Sequence, residues 1–237
     1  MSDLLPSPAD LRVAAARLPR LPAPPTDLTG PLAVGLSGGA DSVFALAALW
    51  ADEAVRPRLR AWHFDHRVRG AASAGDAAFC AALCAALGVP FTGGVRAATG
   101  PATEAELRAE RDDFFRAQRA AQAVRLLVTA HHVDDQVETM LMRLAHGAGP
   151  VGLAAPRVRQ AFRDGHVRWR PLLAAGLRKA DLQAALRAAG LPWREDATNA
   201  TDVAQRNRVR AWLAAGADAA LGASDSAEAS GIPWPRR

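Results

Sequence analysis

Leu36-Ser37-Gly38-Gly39-Ala40-Asp41-Ser42 decides how the rest of the chain is read. It follows the apolar run 32–36 and opens the Ala/Leu-rich segment 43–50, the order of a buried strand, a tight turn and a helix. Two glycines permit positive φ and close approach of the backbone to a ligand, while amides at a helix start, aided by the helix dipole, favour phosphate. Ser37 and Ser42 add hydroxyl donors. The Asp41 carboxylate repels bare phosphate unless a divalent cation lies between them, so the stretch predicts a site for Mg²⁺-pyrophosphate with Asp41 on the metal. It is not a Walker A loop, because no lysine follows the glycines. Gly-Gly after a strand also makes an ordinary tight turn, and the turn alone leaves that reading open.

Working outward, a short amphipathic helix over 10–18 and a proline-rich lead-in over 19–25 precede the turn. Strands are predicted over 59–64, 89–92 and 126–130, with 167–173 as a further candidate, and helices over 75–87, 103–123, 131–146 and 178–189. Gly88 and Gly190 stop two of these helices, and Thr103 with Glu104 and Glu106 starts another. Short apolar strands alternating with helices predict an α/β fold, a Rossmann-like parallel sheet with helices on both faces. Residues 1–30 read as the lead-in, 31–215 as one domain and 216–237, rich in Ala, Ser, Gly and acidic residues, as a low-complexity tail. In such sheets ligands bind beyond the carboxyl ends of the strands. The Ser-Gly-Gly turn, Asp65-His66 and 131–138 all fall there, so three polar clusters converge on one crevice.

Composition narrows the class. Among 237 residues, half are hydrophobic and 22% charged, the balance of a folded globular protein rather than a disordered one. No apolar run reaches the length of a membrane span and the N-terminus lacks signal-peptide order, which leads to the expectation of a cytoplasmic protein with no membrane partner. Cys80 and Cys84 share one face of a predicted helix; two ligands make neither a zinc nor an iron–sulfur site, and buried apolar residues are the reading. Lys179 is the only lysine. The formal net charge is +5, and residues 151–178 alone carry that excess, through Arg157, Arg159, Arg163, Arg168, Arg170 and Arg178 against Asp164. That stretch either faces an anionic polymer or is a solvated loop.

On the helix expected from 131, His131, Asp135 and Glu138 are spaced to share a face. A histidine and two carboxylates in a phosphate crevice can hold a metal, take a proton or grip an amino-bearing substrate. His132 reads equally as a packed core histidine, and Asp134 as a carboxylate favouring the helix dipole. In the helix over 103–123, Arg108 and Arg111 form either a fork for phosphate or, with Glu104, an ordinary helical ion pair.

Taken together these motifs resemble the tRNA(Ile)-lysidine synthetase family, a branch of the PP-loop ATP pyrophosphatases, over about residues 32–213. The motifs are Ser37-Gly38-Gly39-x-Asp41-Ser42, His63-Phe64-Asp65-His66 with Arg69, and Thr129-Ala130-His131-His132-x-Asp134-Asp135-Gln136-x-Glu138-Thr139. Gly147-x-Gly149, Arg170-Pro171-Leu172-Leu173 and Arg206-Asn207-x-x-Arg210 complete them. The resemblance implies a ligase that uses ATP, Mg²⁺ and free L-lysine to convert the wobble cytidine of tRNA(Ile) with a CAU anticodon into lysidine. By it, Ser37, Gly38, Gly39, Ala40 and Ser42 cradle pyrophosphate, Asp41 serves the metal, and His63 and Asp65 line the nucleotide site. His131, Asp135 and Glu138 orient lysine or accept its proton, and Arg108 and Arg111 contact the nucleotide or the tRNA near its target. Arg206 and Arg210, with Arg157 and Arg159, contact the tRNA backbone. The chain departs from the family in Asp112, where an aromatic is usual, in Arg67-Val68 for Gly-Leu, and in stopping soon after Arg210, where most relatives continue into further domains. The rival readings are a PP-loop tRNA thiolase, whose cluster-bearing forms need more cysteines, and a non-catalytic ATP- or RNA-binding remnant.

Overall fold

In the computed structural model the strands are β1 Leu32–Gly35, β2 Leu59–Asp65, β3 Phe91–Val95, β4 Leu126–Val128, β5 Arg159–Ala161 and β6 Val167–Trp169. The helices among the described residues are α1 Pro8–Ala16, α2 Ala40–Ala51, α3 Ala71–Leu87, α4 Glu104–Gln122, α5 Val133–Ala145, α6 Pro171–Ala174 and α7 Lys179–Ala189. The structure describes residues 5–68, 70–98, 100–145, 147 and 156–195. Two units divide the chain: Met1–Val137 with Ala154–Asp196, and Glu138–Leu153 with Ala197–Arg237. The sheet belongs to the first, and α5 runs from the first unit into the second.

The sheet order is β3-β2-β1-β4-β6-β5. β1 pairs in parallel with β2 on one side and β4 on the other, so the order reverses between β1 and β4. That reversal opens a crevice at the carboxyl ends, the place where doubly wound sheets take their ligands. The strands alternate between two cores. Leu32, Val34, Leu59, Ala61, Leu126 and Val128 join the large cluster that also holds residues of α1, α2, α3 and α7. Ala33, Trp62 and Leu127 point the other way, onto Phe115 of α4 and Val124. Burial on both faces is why these strands read as unbroken apolar runs. Leu11, Ala14 and Ala15 of α1 are buried in the large cluster, so the predicted lead-in helix is part of the core.

Differences from the sequence reading have local causes. β3 lies two residues later than expected because Val89 donates its amide to Cys84 O and finishes the end of α3. The strand then carries Gly93 and Gly94, and Gly94 is needed there: a Cβ on it would sit 2.5 Å from the Phe114 ring. β5 was not expected, and it makes the sheet mixed rather than wholly parallel. It pairs antiparallel with β6, and its Arg-Gln-Ala sequence has no apolar pattern to announce it. The candidate strand over 167–173 is shorter than expected, because Pro171 opens α6. α5 begins at Val133, so His131 and His132 precede the helix rather than open it. The capping box of Thr103 and Glu106 on α4 is formed as expected.

Candidate active site

The phosphate turn joins β1 to α2 at the switch point. Only one of its glycines uses the left-handed region: Gly38 has φ +91°, whereas Gly39, the cap of α2, is extended at φ −70°, ψ 161°. The two serines organise the turn. Ser42 Oγ donates to Gly39 O at 3.0 Å and accepts the Ser37 amide at 3.1 Å, and Ser37 Oγ accepts the Gly39 amide at 3.3 Å. The first amides of α2 have no partner within the helix, which leaves them for an anion. Asp41 lies in the first turn, and its Oδ1 is buried with no hydrogen-bond partner.

His132 ties this turn to α5. It is buried, with Nε2 3.7 Å from both Asp41 Oδ2 and Asp135 Oδ2, and Nδ1 3.5 Å from Asp134 Oδ2. These are ion-pair separations, too long for strong hydrogen bonds. Burial alone pushes the imidazole pKa down; the carboxylates of Asp41, Asp135 and Asp134 outweigh it, and the net shift is upward. His132 is therefore the electrostatic link between the residue at the phosphate turn and the acidic helix start. Asp135 Oδ2 also accepts the His132 amide at 3.0 Å, and Asp134 Oδ2 accepts the amide of Lys179 at 2.9 Å, pinning the start of α7.

His131 is set apart from that chain. Its Nδ1 is 3.1 Å from Thr129 Oγ1 at the end of β4. Burial drives its pKa down to about 4; Asp135 resists, and Arg170, Arg168 and Arg111 add to the fall. The ring is neutral at physiological pH. Burial lowers the His66 pKa and Arg111 adds to the fall, so the charge of Arg111 reaches the ends of both β2 and β4. Arg168, lowered by burial, feels Arg111 and Arg108, and Arg170, buried beside it, is lowered to about 10 by burial and by Arg168. The positive charges of Arg111, Arg168 and Arg170 thus all act on His131. Arg170 donates to Arg157 O and Gln160 Oε1, while its Nε and that of Arg168 are buried without partners.

The other candidates fall as follows. His63 is buried under the turn, with its Nδ1–H donating to Leu36 O at 2.8 Å, and its Nε2 has no partner. Asp65, also buried, accepts the Arg67 amide at 2.7 Å. Together with Arg67, Gly70, Val95 and Arg96 it lines a cavity of about 640 Å³ at the ends of β2 and β3. Glu138 is buried and lies one turn after Asp135 along α5, in the second unit. Arg157 is exposed, and Arg159 is paired with Asp27 at 2.5 Å. Arg206 and Arg210 lie outside the described residues, as does Arg69. Sequence reasoning left His132 undecided, although carboxylates two and three positions later were a signal. It missed the Arg96–Glu110 pair, in which Arg96 Nε donates to both Glu110 carboxylate oxygens at 3.0 and 3.1 Å, and the contacts of Arg194, because their partners are distant in sequence.

Cys80 and Cys84 are free, buried in α3, with both thiol pKa values raised by burial, that of Cys84 to about 12. Among the described residues no group of three His, Cys, Asp or Glu side chains is placed to hold a metal ion, and no helix is long and apolar enough to cross a membrane. One carboxylate with an unpartnered oxygen still suits Mg²⁺, which is commonly held by one or two carboxylates together with substrate phosphates.

A glycine-serine anion turn at the switch point of a doubly wound sheet, facing an acidic helix start, defines an α/β protein built to handle a phosphate-bearing ligand. The chain belongs to the PP-loop domain family, whose model matches residues 15–215. It is 43% identical over 181 residues to the tRNA(Ile)-lysidine synthase of Solibacter usitatus, covering 76% of this chain and 39% of that protein. It is 38% identical over 200 residues to the enzyme of the same name from Rhodopirellula baltica, covering 75% and 50%. The Geobacter sulfurreducens tRNA(Ile)-lysidine synthase is 40% identical over 184 residues, covering 75% and 38%. The chain thus spans about two-fifths to half the length of these relatives. Among solved structures, the U34-tRNA thiolase NcsA of Methanococcus maripaludis, with its [4Fe-4S] cluster, superposes with a TM-score of 0.67 at 15% identity. The match covers 90% of this chain and 74% of that one. At that identity the likeness speaks for the fold alone.

Proposed function

We propose that the chain is a tRNA(Ile)-lysidine synthetase, an ATP-dependent carbon–nitrogen ligase acting on tRNA(Ile) with a CAU anticodon and free L-lysine. The observation that carries the reading is the Asp41–His132–Asp135 chain, which joins a pyrophosphate turn to a carboxylate able to take a cationic amine. In the reaction, the C2 oxygen of the wobble cytidine attacks the α-phosphorus of ATP, and the bond to the β-phosphate breaks to release pyrophosphate. The lysine ε-nitrogen then bonds to C2 as the C2–oxygen bond breaks, AMP leaves with that oxygen, and the amine gives up a proton. Asp41 would hold Mg²⁺ at the turn, and the ion would supply charge neutralisation for pyrophosphate.

The roles follow from chemistry. Ser37, Gly38, Gly39, Ala40 and Ser42 receive the pyrophosphate, and the β2 end with His63 and Asp65 borders the nucleotide. Asp135 suits the lysine ammonium and disfavours a second phosphate, and Glu138 is a second carboxylate of the chemistry that takes a cationic amine. His131, neutral at physiological pH, takes the proton or orients the amine. Arg108 and Arg111 meet the anionic substrate, joined in the structure by Arg168. Arg157, Arg206 and Arg210 serve the tRNA backbone; Arg159, already paired with Asp27, contributes less. Cys80 and Cys84, buried in α3, have no role in this proposed chemistry. A cytoplasmic location goes with a tRNA-modifying role. The test is incubation with tRNA(Ile) CAU transcript, ATP, Mg²⁺ and labelled lysine. Label entering the RNA, with release of AMP and pyrophosphate, is expected; no label and no tRNA-dependent pyrophosphate exchange would refute the reading.

A further inference from the structure

The phosphate turn is held from behind by a segment that lies far away in the sequence. After α7 ends at Gly190, Leu191 is buried and Trp193 packs against the large core, with the Arg187 guanidinium 5.5 Å over its ring. The next residue, Arg194, reaches the turn with both backbone and side chain. Its amide donates to Gly38 O at 2.9 Å, and its Nε donates to Oδ1 of the buried Asp76 on α3 at 2.8 Å. Its Cγ would lie 3.5 Å from a Cβ on Gly38.

The consequence comes from peptide geometry. In a trans peptide the carbonyl and the following N–H point in opposite directions. Anchoring Gly38 O on Arg194 at the back of the turn therefore directs the Gly39 N–H to the front, where the anion binds. Its present partner, Ser37 Oγ, is 3.3 Å away, a long bond that an incoming phosphate oxygen can displace. Asp76 fixes where Arg194 sits, and so fixes the plane of that peptide.

We propose that Arg194, held by Asp76, is a positioning residue that presents the Gly39 amide and so sets affinity for the pyrophosphate part of the nucleotide. The inference rests on the reading of the turn as a pyrophosphate site. The test compares binding of inorganic pyrophosphate, ATP and AMP, each with Mg²⁺, by calorimetry on the wild-type chain, Arg194→Ala and Asp76→Asn. Asp76→Asn keeps the side-chain shape and guards against loss of folding. Both variants are expected to bind pyrophosphate and ATP about tenfold more weakly, the worth of one well-placed charged hydrogen-bond network, and AMP as before. The double variant is expected to be no worse than either single one. Unchanged pyrophosphate binding in Arg194→Ala, or equal weakening of pyrophosphate and AMP, would overturn the proposal. A wild-type chain that binds neither ATP nor pyrophosphate would instead overturn the reading of the site beneath it.

Discussion

Replacing the two adjacent glycines of the phosphate turn separates fold from function. Gly38→Ala forces an L-residue to φ +91° and puts its Cβ 3.3 Å from Cys80 Sγ, 3.5 Å from Arg194 Cγ and 3.6 Å from Phe79 Cδ1. The backbone cost is about 1–2 kcal/mol, the crowding adds roughly 1, and the entropy lost from the unfolded chain returns about 0.4–1. The net is a loss of about 1–2.6 kcal/mol, or roughly 2–10 °C in melting temperature for a domain of this size. Gly39→Ala meets only Ser37 Oγ at 3.5 Å in an extended conformation. It is expected to melt at or slightly above wild type, while its methyl group hinders the anion. Thermal unfolding, followed by pyrophosphate binding of each folded variant, measures both effects. A Gly38→Ala protein melting within about 1 °C of wild type, or a Gly39→Ala protein falling equally far, would refute the reasoning.

Further outcomes are expected. His131 has a folded pKa of about 4 against an ordinary 6.5. Its contribution to stability is therefore level above about pH 6.5 and falls as pH drops toward 4, by at most roughly 3 kcal/mol. Urea titrations across that range are expected to show this slope in wild type and a flatter one in His131→Asn. His132 has the opposite sign: its raised pKa contributes stability that is full below about pH 6.5 and is lost as pH rises through the folded value, an effect absent in His132→Asn. Glu110→Ala leaves the Arg96 guanidinium buried without its carboxylate partner, and denaturant midpoints are expected to report a loss of about 2–4 kcal/mol. Asp134→Ala removes the acceptor of the Lys179 amide and is expected to cost about 1 kcal/mol in stability. Asp135→Asn is expected to act mainly on lysine incorporation, and a larger activity loss in Asp134→Ala than in Asp135→Asn would reverse the two roles.

The strands β1, β2 and β4 and the helices α2, α4 and α7 were legible because their signals are local. Apolar runs, a capping box at Thr103, and the glycine stops at Gly88 and Gly190 lie within the elements they define. β5 was illegible because its strand character comes from pairing with β6, not from Arg159-Gln160-Ala161. The extra residues at the start of α3 and the shift of β3 were hidden for a similar reason, since neither boundary carries a strong stop signal. At the site, Asp41 and Asp135 were readable from spacing, but His131 precedes the helix rather than lying on it, although Asp135 still acts on its charge. α5 starts two residues after His131, and His132, the residue with the ambiguous sequence context, makes the bridge instead.

The sequence by itself determined that a phosphate turn follows a buried strand, that polar clusters sit at strand ends, and that the chemistry available is phosphate, carboxylate and arginine. Those properties reside in short stretches whose backbone preferences and side-chain types are independent of what packs around them. Only the tertiary structure decided which glycine takes a positive φ, which histidine joins Asp41 to Asp135, and that Arg194 donates its amide to Gly38 O while its side chain grips Asp76, 118 positions earlier. Such contacts are set by the order and twist of the sheet and by helix packing, which bring distant residues within hydrogen-bond reach, and no local pattern encodes them.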